Sequence, residues 1–136
     1  MRAAGDYTLS LVAEVEDEIV GHVLFSPVYS ETGEQIPGGL ALGPLAVLPE
    51  CQLQGVGSAL VREGLRQTAA TGHRFCMLLG SSRYYPRFGF EPAVPRGIWS
   101  EFEALNKDLQ VVELAEPRLA GVSGLVCFAP AFDEFP

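Results

Sequence analysis

The stretch Leu45-Ala46-Val47-Leu48-Pro49-Glu50-Cys51-Gln52-Leu53-Gln54-Gly55-Val56-Gly57-Ser58-Ala59-Leu60 decides the fold. It begins inside Leu40–Leu48, a nearly continuous apolar run that suits a buried strand. Past Pro49 the period changes. Val56, Leu60, Val61, Leu65 and Ala69 recur at helical spacing and mark one apolar face. A strand therefore runs into a glycine-containing turn, and the turn opens a helix. The first amides of a helix have no intrahelical acceptor, and the helix dipole makes that end positive. Gly55 and Gly57 let those amides approach phosphate oxygens with no Cβ in the way.

Several cofactors use this geometry, so the flanks must discriminate. A dinucleotide fold wants a third glycine where Leu60 stands and an acid at the end of the next strand, which here reads Leu78-Leu79-Gly80. A P-loop wants a lysine before the hydroxyl residue, and Gly57-Ser58 has none. What remains is Gln-x-x-Gly-x-Gly at Gln52, Gly55 and Gly57, which resembles the acyl-CoA loop of the GCN5-related N-acetyltransferases (GNAT). One helix and one strand downstream, Tyr84-Tyr85-Pro86-Arg87-Phe88-Gly89-Phe90 is similar to the second signature of that family, Tyr-x-x-x-Gly-Phe. Together with Leu45–Glu50, the hairpin Leu11–Pro27 and the tail Gly121–Phe132, these motifs look most like the YhbS-like branch of predicted N-acetyltransferases.

The resemblance implies an acetyl-CoA-dependent N-acetyltransferase that moves an acetyl group to an amine by direct attack in a ternary complex. Acetyl-CoA is then a cosubstrate, and no metal is needed. The backbone of Leu45, Ala46 and Val47 would hold the pantetheine arm and polarise the thioester. The loop from Gln52, through the amides of Gln54, Gly55, Val56, Gly57 and Ser58, would take the pyrophosphate. Arg62, on the first turns of the helix, is placed to reach a phosphate. Tyr85, four residues before Gly89, would protonate the departing thiolate, with Tyr84 as the second candidate. No acid lies within Leu40–Leu48, where some relatives carry a base. Water would then take the amine proton, with His22 and Glu50 as weaker alternatives. Cys51, Phe88 and Phe90 are expected to be packing residues. The family usually begins with a strand and one or two helices before the hairpin, which this chain, starting almost at its hairpin, is expected to lack, and position 53, often glycine there, is Leu53.

Elsewhere the pattern predicts strands at Thr8–Val15, Ile19–Phe25, Phe75–Leu79, Leu109–Leu114 and Val122–Phe128. It predicts a turn at Glu16–Glu18, a loop over Ser26–Gly39 and a short helix at Arg83–Phe88 ended by Gly89. The order β-β-β-α-β-α-β-β implies a mixed α+β sheet with helices packed on it, an α/β protein of GNAT-like acyl-CoA N-acyltransferase fold.

At 136 residues the chain fits one domain, and no apolar run approaches the length of a membrane span. Three cysteines match no metal or redox spacing, and two histidines are too few for a typical metal site. A reduced, cytoplasmic protein is the simplest expectation. The net charge of −8 disfavours a nucleic-acid partner. Its distribution is uneven: between Gln52 and Arg96 six arginines face two glutamates, which suits a small anionic ligand. The acceptor cannot be read from these residues, and a homodimer covering an open apolar face is compatible with them. Two further readings keep the loop or the fold without the reaction: an acyl-CoA-binding or sensing module, and an interaction scaffold.

Overall fold

The computed structural model describes residues 8–114 and 124–128. The N-terminal segment Met1–Asp6 and the predicted start of the last strand at Val122 lie outside them. Strand β1 (Leu9–Val15) alternates Leu9, Leu11 and Ala13 inward, turns at Glu16-Asp17 and pairs antiparallel with β2 (Glu18–Tyr29). β2 pairs on its other side with β3 (Gln35–Val47). Both strands outrun their sequence pattern, so the loop expected over Ser26–Gly39 shrinks to Ser30–Glu34. Tertiary contact explains the difference. Gly39 lies directly opposite Phe75, and a Cβ there would come within 2.6 Å of the Phe75 ring. Gly39, which read as part of a loop, is small because a neighbouring strand packs on it.

Helix α1 (Val56–Ala70) follows β3 and buries Leu60, Val61, Gly64 and Thr68 against the sheet. Gly64 permits the contact, since its α-carbon rests against the ring of Phe25. Each of Leu60 and Val61 stabilises this docking by about 1.5–3 kcal/mol. The helix stops at Thr71, with Gly72 at φ 90° behind it. β4 (Phe75–Leu79) then enters the sheet parallel to β3, and β5 (Glu91–Pro92), β6 (Ile98–Ser100), β7 (Leu109–Glu113) and β8 (Gly124–Phe128) complete it. The strand order is β5-β7-β4-β3-β2-β8-β6, with β1 along the first part of β2 and β8 pairing with its end. The short helix expected at Arg83–Phe88 is a single 3₁₀ turn, Tyr85–Phe88, ended by Gly89 at φ 98°. One core cluster lies under α1 around Phe25, Leu40 and Leu78, and a second around Val28, Phe75 and Met77. No described helix is long and apolar enough to cross a membrane.

The feature that positions the site is a parting of strands. β3 and β4 pair only at Gly39–Phe75, Leu40–Cys76 and Ala41–Met77. Immediately beyond, β3 carries one extra residue against β2 around Gly43-Pro44, and this bulge bends it away. From Leu42 to Val47 the β4-side edge of β3 has no neighbouring strand among the described residues.

Candidate active site

The free edge of β3 has a definite polarity. The amide of Leu48 donates to Val20 of β2 at 2.9 Å, so Leu48 and Ala46 turn their backbone groups toward β2. Leu45 and Val47, one step out of phase, turn theirs toward the gap. Their side chains line a groove of about 520 Å³, whereas Ala46 faces the other side, opposite His22. A groove of that size suits one small-molecule ligand.

The loop between β3 and α1 is held by its own side chains. A 3₁₀ turn, Pro49–Cys51, leads out of β3. Gln52 Nε2 donates to the Val47 carbonyl at 3.0 Å, and Gln54 Nε2 to the Glu50 carbonyl at 3.3 Å. Leu53 takes φ 64° and Gly55, at the helix N-cap, φ 88°. No side chain caps α1, so its first amides, from Gly55 to Ser58, remain available to an acceptor that arrives from outside. Gln52, Leu53, Gly55, Gly57 and Ser58 line the groove together with Cys51. Cys51 was expected to be a packing residue; it is half-buried and stands in the groove wall.

The opposite wall comes from the segment after β4. Tyr84 Oη lies 3.0 Å from Ser58 Oγ, and the Arg87 guanidinium stacks 4.6 Å from the centre of the Tyr84 ring. Both residues line the groove. Tyr85 points elsewhere. Its ring lies against Gly80 at the end of β4 and makes an edge contact with Phe90 at 5.9 Å. Burial, then the neighbouring Tyr84, then Cys76 push its phenol above the usual range.

Other sequence candidates fall outside the groove. Arg62 was expected to reach a phosphate, but its guanidinium sits 5.1 Å over the ring of Phe88 and does not line the groove. Phe88 is accordingly half-buried beneath it, while Phe90 is core as expected. The side chain of Val56 packs against the core, leaving only its amide toward the loop. His22 bonds Ser10 at 3.0 Å on the hairpin, and Glu50 is exposed on its 3₁₀ turn; neither lines the groove. Arg87 and the placement of Tyr84 were missed. Arg87 belongs to the arginine-rich window and to the second motif, and that double membership was the available signal. Among the described residues no three or more His, Cys, Asp or Glu gather as a metal site.

The chain is similar to known proteins in sequence and in fold. The acetyltransferase (GNAT) domain model matches residues 6–92. The uncharacterized N-acetyltransferase YhbS of Escherichia coli K12 is 36% identical over 99% of this chain and 80% of its own length. The crystal structure of a GNAT family N-acetyltransferase, YhbS from Escherichia coli, in complex with CoA superposes with a TM-score of 0.87 at 35% identity, covering 97% of this chain and 73% of that one. A GNAT family acetyltransferase from Brucella melitensis in complex with acetyl-CoA gives 0.76 at 38% identity, covering 96% and 71%. The parted strands, the uncapped glycine loop and these likenesses have one common source: the chain belongs to the GNAT family of N-acetyltransferases.

Proposed function

We propose that this protein transfers the acetyl group of acetyl-CoA to an amine acceptor by direct attack. The observation that carries the reading is the uncapped N-terminus of α1 beside the unpaired edge of β3. The first offers amides to a pyrophosphate, and the second offers a row of backbone groups to the pantetheine amides. The bound CoA and acetyl-CoA of the two similar crystal structures support it.

In this reading the amides of Gln54–Ser58 hold the pyrophosphate and Gln52 braces the loop through Val47. The gap-facing backbone groups of Leu45 and Val47, rather than those of Ala46, which turn to β2, align the arm, so the thioester reaches the point where β3 and β4 part. Backbone amides there stabilise the oxyanion that develops on the thioester carbonyl. The acceptor nitrogen attacks the carbonyl carbon, a C–N bond forms and the C–S bond breaks. Tyr85 gives its phenolic proton to the leaving sulfur, and water takes the proton released by the amine. A phenol kept protonated by burial suits the first of these transfers. Among the described residues no carboxylate lines the groove, in keeping with water as the base.

The test is thiol release from acetyl-CoA in the presence of a panel of primary amines, with product identified by mass. Amine-dependent release with an acetylated amine is expected. CoA binding without turnover on any amine would favour a binding module, and absence of CoA binding would leave only the fold.

A further inference from the structure

We propose that Tyr84, Ser58 and Arg87 form a side-chain clasp over the CoA pyrophosphate, which retains the cosubstrate and takes no part in the chemistry. The inference rests on the acetyl-CoA reading above and assigns a duty to the second tyrosine. The two adjacent phenols diverge. Tyr85 lies inward against Gly80 and Phe90, whereas Tyr84 reaches across the groove to the first turn of α1. The Tyr84–Ser58 contact of 3.0 Å therefore bridges the two walls at the end where the helix amides emerge.

The chemistry of that bridge favours an anion. A hydroxyl pair shares one hydrogen bond, so one O–H is left over whichever group donates. That proton is free for a phosphate oxygen, and a hydrogen bond to a charged acceptor is stronger than a neutral one. Arg87 supplies the charge. Its Nε donates to the Tyr84 carbonyl at 2.8 Å, and its guanidinium stacks on the Tyr84 ring. Other arginines of the basic window are paired: Arg66 with Glu63, and Arg96 with Glu91 and Glu113. No carboxylate among the described residues pairs with Arg87, the one arginine that lines the groove. Gly57 completes the site. A Cβ there would stand 3.4 Å from Tyr84 Oη and 3.7 Å from Val47, an ordinary contact, so protein packing does not demand glycine. Its absence keeps open the space beneath the hydroxyl pair.

The test is steady-state kinetics of the full chain with Tyr84→Phe and Arg87→Gln, beside inhibition by CoA and by pantetheine, which has the arm without phosphate. Each variant should raise the KM for acetyl-CoA and weaken CoA inhibition about tenfold. Saturated kcat should stay within about twofold, and pantetheine should inhibit variants and wild type alike. Should Arg87→Gln not fold, Ser58→Ala carries the same expectation. An unchanged KM, a fall in kcat without a change in KM, or an equal loss of pantetheine inhibition would each overturn the clasp. Wild-type protein that binds no CoA would overturn the acetyl-CoA reading and the clasp with it.

Discussion

Leu53 holds φ 64° with its side chain in open solvent, so nothing it touches rewards the left-handed backbone. That conformation costs an L-residue about 1–2 kcal/mol, and glycine's extra freedom in the unfolded chain returns about 0.5–1. Leu53→Gly should therefore stabilise the protein by roughly 0.5–1 kcal/mol, read as a raised urea midpoint at unchanged slope. A lowered midpoint would show that Leu53 makes a contact worth more than the strain. The tyrosines make the second residue-scale case. Tyr85→Phe keeps the ring against Gly80 and removes only the hydroxyl, so kcat should fall about 10²–10⁴-fold while CoA affinity holds. Equal rates would remove Tyr85 from the reaction. Motif spacing singled out Tyr85 and left Tyr84 a weaker second. Which wall each ring would meet was not legible, because it depends on Gly80 and Ser58, which lie in other elements.

Among the elements, α1 and β4 were legible because each carries its own pattern, a helical apolar face and an unbroken apolar run. β6 and β5 were not. Three residues and two residues have no local pattern, and they are strands only because β8 and β7 lie beside them. The ends of β2 and β3 failed for a related reason: Pro37, Gly38 and Gly39 read as a loop until Arg74 packs on Gly38 and Phe75 of β4 on Gly39. The seat of α1 gives a prediction in which two effects compete. Helix propensity favours Ala over Gly by about 0.8–1 kcal/mol. A Cβ on Gly64 would, however, overlap the fully buried ring of Phe25, and such overpacking costs about 1–3 kcal/mol. Gly64→Ala should therefore destabilise the protein by up to about 2 kcal/mol in urea. Net stabilisation would mean that α1 sits farther from β2.

At the scale of the molecule, the arginine window pointed to an anion site but overstated its strength. Folding pairs Arg66 and Arg96 with glutamates and sets Arg62 on Phe88, and of the six arginines in the window Arg87 alone lines the groove. Sequence adjacency could not show which arginines meet carboxylates from β5 and β7. The whole fold also has an alkaline weakness. Burial pushes the Cys76 thiol well up, so the folded protein keeps a proton that the unfolded chain releases above about pH 8.5. Its contribution is complete below that pH and is lost as pH rises, by up to about 1.4 kcal/mol per unit. Cys127, raised by partial burial and then by Glu101, acts in the same direction, and Tyr85 joins at higher pH. Urea unfolding at pH 7.5 and 9.5 should show the loss, and Cys76→Ala should reduce its slope; a flat profile would contradict the burial of that thiol.

The central claim is that CoA lies on the loop between β3 and α1. Calorimetric titration of CoA into wild type and Gly57→Asp tests it most directly, since position 57 faces the groove beside Tyr84, Val47 and Leu45. A carboxylate there would stand against the phosphates without disturbing a left-handed backbone. Wild type should bind in the micromolar range, on the order of −8 kcal/mol, and Gly57→Asp should lose that binding while its circular dichroism stays native. Equal heats and equal affinity in the two proteins would contradict the assignment.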